Sequence, residues 1–287
     1  MTDGRALRLE GIEERYERYK EKIKNYTIMD DIFMRNVLKE QGCTEYILQV
    51  IMNQKNLQVV EQTLQKDYKN LQGRSAILDC VARDERARQF NVEIQGDNEG
   101  ASPERARYHS CLLDMNILSP REPFTGLPET YIIFITRNDV LGYDRIICHI
   151  TRKVEEEGED FGDGSHIIYV NSKKREDTEL GKLMHDLHCE ESGKMYSKIL
   201  ASRVRELKET EKGVSEMCRD MEEIYGEGME NGRLLGLEEG EYIGERKKAR
   251  ETVLSLAELR MPEEQISQIV KMPLEVVQGW IEESLAI

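Results

Sequence analysis

The chain has 287 residues, a net charge of −15 and 39% hydrophobic residues, enough to bury a sizeable core as one domain of about 200 residues with an appendage. It contains no run of about 18 apolar residues to cross a membrane, and the opening MTDGRALRLEGIEERYERYK is too charged for an export signal. Six cysteines without a CxxC pair read as reduced thiols, so a soluble, cytoplasmic protein is expected.

The acidic balance argues against indiscriminate nucleic-acid binding, which relies on Lys and Arg neutralising phosphates. Its distribution softens that objection. From Arg205 to Ile287 there are 20 acids against 11 bases, whereas Leu57 to Met115 holds 10 acids and 8 bases.

In chain order, residues 1–25 form a charged helical arm with Leu9, Ile12, Tyr16, Tyr19 and Ile23 along one narrow face. Thr27 with Asp30 marks a helix start, and Asp30 to Gln41 is expected to be a helix closed by Gly42, with Ile32, Phe33, Val37 and Leu38 inward. Asp31 sits beside that stripe, where an acid favours the positive helix start. Thr44 opens a further helix. Leu57 to Leu64 reads as a strand leading through Gly73, with Gln62 and Gln65 either on the surface or facing a site.

The stretch Ala76 to Gln95 reads as a β-hairpin, two short apolar runs flanking the polar segment Arg83 to Arg88. Side chains alternate along a strand, so Asn91, Glu93 and Gln95 point to one face and Phe90, Val92 and Ile94 to the other. A loop centred on Arg86 sets Asp79 opposite Glu93. Opposed residues have Cβ atoms about 4.5 to 5.5 Å apart, and like charges so placed are destabilising unless neutralised. The two carboxylates are therefore either simply solvated or hold a divalent cation such as Mg²⁺, which binds through few protein oxygens.

Ser102 and Pro103 make a good helix start, and Arg105, Tyr108, Leu112 and Met115 share one stripe. Arg105 beside an acidic site would hold a phosphate, balance Glu93 or form an ordinary ion pair. Thr130 to Thr136 reads as a strand covered on both faces, and Asp144 to Arg152 with His166 to Val170 as a hairpin around an acidic loop. His185, His188 and Cys189 lack the partners of a zinc site.

From Asp177 the chain reads as helix. Gly228, Gly232, Gly236, Gly240 and Gly244 recur every four residues, each costing about 0.8 to 1 kcal/mol relative to Ala; the series suits either close helix packing in a dimer or a tether. Glu263 to Val270 and Leu274 to Glu283 form a helical pair with Trp280 in its core, too acidic for a DNA reader.

Asp79, thirteen residues, then Glu93-Ile94-Gln95 resembles the PD-(D/E)XK nuclease signature. With Asp31-Ile32-Phe33, Glu104-Arg105-Ala106-Arg107-Tyr108 and Tyr131-Ile132-Ile133-Phe134-Ile135 in that order, the stretch Tyr26 to Glu245 is similar to the bacterial Rpn family of recombination-promoting nucleases and transposases, in which the final Lys is commonly Gln. Leu78 stands in place of the name-giving Pro, and Gln95 in place of the superfamily's Lys. The resemblance implies an α/β fold, a PD-(D/E)XK restriction-endonuclease-like mixed sheet flanked by helices with a helical C-terminal extension. The domains are then an arm (1–25), a nuclease-like domain (26–195), a glycine-repeat helical extension (196–250) and a small helical pair (251–287). It further implies an endonuclease dependent on Mg²⁺ or Mn²⁺ and acting on DNA, with Asp79, Glu93 and Gln95 catalytic, Asp79, Glu93 and Asp31 on the metal, and Arg105 and Tyr108 on substrate. The rival expectation is a weak or inactive nuclease-fold assembly protein, a homo-oligomer through its C-terminal helices.

Overall fold

A computed structural model describes residues 3–68, 75–96 and 98–285. The chain forms two compact units, Met1–Met221 and Glu222–Ile287.

The first unit opens with helix α1 (Asp3–Asn25), whose Tyr19 and Ile23 are buried in the main core. The side chain of Leu9, expected on the same face, lies outside the described residues. Helix α2 (Asp31–Leu38) follows, and α3 (Gln41–Ile51) starts only three residues later. The single helix expected from Asp30 to Gln41 is thus broken, and Gly42 sits in the first turn of α3 rather than closing α2. Glu40 is extended (φ −84°, ψ 106°) and lets α3 change direction so that Cys43, Ile47 and Leu48 are buried. Core packing sets that break; no proline or left-handed glycine marks it.

Strands β1 (Val59–Tyr68), β2 (Ala76–Asp84) and β3 (Gln89–Gln95) form an antiparallel meander. The turn expected at Gly73 lies outside the described residues. Helix α4 (Pro103–Met115) then carries the chain to β4 (Thr130–Thr136), which pairs parallel with β3. The expected hairpin is present as β5 (Ile147–Ile150) and β6 (Ser165–Asn171), and β6 pairs parallel with β4. The sheet order is β1-β2-β3-β4-β6-β5, a mixed α/β sheet with antiparallel outer strands.

Alternation along the strands divides the core in two. Phe90, Val92, Ile94, Ile133, Ile135, Ile168 and Val170 face a layer containing α2, α3, α5 (Glu179–Leu187) and α6 (Lys198–Glu209). Ile132, Phe134 and Tyr169 face the opposite way, under Ala106 and Leu113 of α4. The apolar run Thr130–Thr136 is therefore covered on both sides, as a central parallel strand requires. The helix expected from Asp177 onward is interrupted between Leu187 and Lys198. There the buried Asp186 carboxylate accepts the Tyr196 and Ser197 N–H groups at 2.8 and 2.7 Å, organising the turn into α6.

Helix α7 (Glu211–Glu258) begins in the first unit and continues into the second. The second unit has its own small core, in which Val253 of α7, Ile266 of α8 (Glu263–Val270), and Val277 and Trp280 of α9 (Leu274–Leu285) are buried together. Among the described residues no helix is long and apolar enough to cross a membrane.

Candidate active site

The hairpin brings the two acids together. The paired β2–β3 register runs from Arg83 opposite Gln89 to Cys80 opposite Val92 and stops there; Asp79 and Glu93 are the next residues along the two strands. The Asp79 N–H donates to Glu93 Oε1 at 3.2 Å.

Glu93 is completely buried, with no exposed surface at all. It shares a row across the parallel strands with Phe134 and Tyr169, beneath α4. A carboxylate in such apolar surroundings must be heavily hydrogen-bonded, and this one is. Asn91 Nδ2 donates to Oε1 at 3.0 Å, and Gln95 Nε2 reaches Oε2 at 3.5 Å. From α4, Arg105 Nη2 lies 3.5 Å from Oε2 and His109 Nδ1 3.5 Å from Oε1. Ser102 caps that helix by accepting the Arg105 N–H at 3.2 Å, with Pro103 in the first turn. Arg105 Nε also donates to His109 Nε2 at 3.3 Å, while the buried His109 Nδ1, on the Glu93 side, makes no hydrogen bond.

Asp79 is the acid left short of positive charge. Burial first, and the neighbouring Glu93 second, push its carboxyl from 3.8 up to about 7; a hydrogen bond from Gln65 opposes the shift. Gln65 Nε2 donates to Asp79 Oδ1 at 3.1 Å from a strand position with φ 49°. Of the two glutamines weighed in β1, Gln65 meets the site. Gln62 instead donates to the Leu38 carbonyl.

Asp31 is placed differently. Its exposed carboxylate is gripped by Arg35, at 3.0 Å to Nε and 2.6 Å to Nη2, and it raises the Asp79 carboxyl only through its field. Among the described residues no three His, Cys, Asp or Glu side chains gather as a metal site, so the acids meet as a pair. The pair suits a hard divalent cation: all its donors are oxygens, its negative charge is only partly balanced, and Mg²⁺ needs few protein ligands because it retains water. His185 and His188, by contrast, are engaged with Asp186 and Ser172.

A cleft of about 760 Å³ opens beside the pair, lined by Ser75, Ile77, Ser102, Arg107 and Tyr108, and by the same Arg105 and His109 that touch Glu93. Tyr108 thus lines the approach, while Arg105 joins the approach to the acids. Asn91, which alternation puts on the Glu93 face, proves to be a hydrogen-bond partner of that acid. His109 is the site residue that sequence reasoning missed; it follows Arg105 by four on one helix face, so the helical periodicity carried a signal.

A buried acid pair, the Gln95 amide two residues further on the strand and the Arg105 cation at a helix start thus stand together. A family model described as PD-(D/E)XK nuclease family transposase matches residues 44–188, a span shorter than Tyr26 to Glu245 that begins after Asp31. No curated protein and no solved structure matches the chain. The matched half runs from α3 through the acid pair to the end of the sheet and α5, and the chain belongs to the PD-(D/E)XK nuclease family transposases.

Proposed function

We propose that the protein is a metal-dependent DNA endonuclease of the recombination-promoting type, hydrolysing phosphodiesters with Mg²⁺ or Mn²⁺. The observation that carries this reading is the convergence of Asp79 and Glu93 on adjacent strands, with Asp79 raised to about 7 by burial and by its neighbour. Asp79 and Glu93 hold the ion. When bound, such an ion lowers the pKa of a coordinated water and offsets negative charge on the phosphorane.

The protein's own groups do the rest. Gln95 orients the attacking water or a phosphate oxygen; an amide carries no charge, so it positions without neutralising. Arg105, 3.5 Å from Glu93, would turn to the scissile phosphate once a bound ion balanced the Glu93 charge. Asp31 acts on the pair through its field, and Tyr108 bounds the substrate's path. The absent Lys makes the enzyme slow. Supercoiled plasmid is expected to be cut with Mg²⁺ or Mn²⁺ and left intact in EDTA. Equal cutting in EDTA would defeat the proposal.

Self-association through the C-terminal helices is a second part of the proposal. Leu234, Leu235, Leu237, Tyr242 and Ile243 of α7 are exposed, and a Cβ built on Gly228, Gly232, Gly236, Gly240 or Gly244 meets nothing within 4 Å. A helix that bears such residues beside uncovered glycines gains by packing against a second copy. Light scattering is expected to give at least a dimer for the full chain, and a smaller particle for Leu235→Glu/Ile243→Glu. A wild-type monomer at high protein concentration would rule this out.

A further inference from the structure

We propose that the cleft beside the acid pair takes one unpaired nucleotide of a DNA strand, its base against Ile77 and Tyr108 and its phosphate on Arg105 and Arg107. This deepens the nuclease reading and rests on it, by naming the form of DNA the site accepts.

The walls have the required chemistry in two parts. Past the Cys80–Val92 pair, β2 is matched only with β1, and at its start Ile77 is 54% exposed while the adjacent Leu78 is fully buried. An isoleucine uncovered in a strand whose neighbours pack into the core is an apolar surface facing the cleft. Tyr108 lines the same space from α4, offering a ring. The remaining wall carries two cations and one acid. Arg105 is partly exposed, and Arg107 is exposed. Glu104 lines the cleft with them, its carboxyl engaged at the helix start by its own N–H and the Ser102 hydroxyl, which hold it below the ordinary range.

Arg105 connects cleft and acids, since one guanidinium both lines the cleft and lies 3.5 Å from Glu93. A phosphate drawn to it stands next to the acid pair, and the base on that phosphate enters the cleft. In a duplex the base faces are stacked and hidden, and tight duplex binding needs a series of phosphate contacts. Between Leu57 and Met115 acids outnumber bases by 10 to 8, so the segment that carries the acid pair is poor in the cations such a series needs. Single strands are held differently, by stacking worth about 1–3 kcal/mol per base together with a few cations.

Fluorescence anisotropy of the full chain with Ca²⁺ in place of Mg²⁺ tests this, using labelled oligothymidylate and a blunt duplex of equal length. The single strand is expected to bind about tenfold tighter or better. Ile77→Ala and Tyr108→Ala, checked for unchanged melting, each weaken single-strand binding about fivefold or more, the lower end of the stacking range. Arg107→Ala lowers the salt slope by about one ion. Duplex binding as tight as single-strand binding, or single-strand affinity unmoved by both Ile77→Ala and Tyr108→Ala, overturns the proposal. Plasmid cutting separates the two readings. Metal-dependent cleavage without single-strand preference leaves the nuclease and removes the nucleotide cleft, whereas single-strand preference that Ile77→Ala abolishes, in a protein that never cuts, keeps the cleft and removes the nuclease.

Discussion

Asp79→Asn is expected to abolish metal-dependent cleavage, by about a thousandfold or more, and at the same time to make the metal-free protein harder to unfold. Loss of activity follows from loss of one of the two carboxylates proposed to hold the ion, since a single preorganised charge contact at the reacting centre is worth about 10²–10³ in rate. The gain in stability follows from the proton balance. In the folded protein the Asp79 carboxyl releases its proton at about 7, against 3.8 ordinarily. Between those values the folded chain keeps a proton that the unfolded chain has given up, so stability falls as pH rises through this window and is flat above it. At about 1.4 kcal/mol per unit, the wild type gives up at most about 4 kcal/mol by pH 8. Asn carries no charge and keeps an oxygen for the Gln65 amide. In EDTA at pH 8 the variant should melt roughly 5–15 °C higher than wild type, and at pH 4 the two should nearly coincide. An Asp79→Asn protein that melts lower than wild type at pH 8 would show that this carboxylate is not under electrostatic stress.

Glu93→Ala is expected to act in the opposite direction. Its carboxylate accepts the Asp79 N–H and the Asn91 amide, and sits between Arg105 and His109 with no surface exposed. Removing it strands several donors and a guanidinium around an empty volume. Breaking one side of a buried charge pair costs about 3–5 kcal/mol, so a melting temperature at least about 10 °C lower is expected. The pH dependence also flattens, because the second cause of the Asp79 shift is gone. Millimolar Mg²⁺ or Mn²⁺ stabilises the wild type above pH 7, where the Asp79 carboxyl is ionised and ligand binding favours the folded form, and does nothing for Glu93→Ala. Calorimetry of wild type and both variants, with and without metal, reads all of this. A metal-induced shift of the same size in Glu93→Ala as in wild type would remove Glu93 from the ion.

Much of this arrangement was legible in the sequence because it is local. The polar segment Arg83 to Arg88 is short enough that hairpin symmetry alone brings Asp79 near Glu93, where the Asp79 N–H meets the Glu93 carboxylate, and the unbroken run Thr130 to Thr136 announces a strand with both faces covered. Ser102-Pro103 marks the start of α4 with a cap whose hydrogen bond is present. What sequence spacing could not supply was the descent of α4 onto the sheet. That packing converts Glu93 from an acid on an open strand face into a buried one and brings His109 to it across sixteen positions of sequence. The break between α2 and α3 was hidden for the same reason: it answers to the burial of Cys43 and Ile47 rather than to a local breaker. Asp31 had the right residue type in the right helix, but Arg35, one turn along, claims its carboxylate.

The left-handed turn of backbone at Gln65 has a consequence for how the site is tuned. Strand β1 is the outermost of the sheet, and its pairing with β2 steps from Leu64 opposite Cys80 to Lys66 opposite Leu78, so the residue between them is free to deliver its amide sideways to Asp79. That amide opposes the rise of the Asp79 carboxyl, so the backbone turn at one residue of a neighbouring strand bears on when the acid gives up its proton.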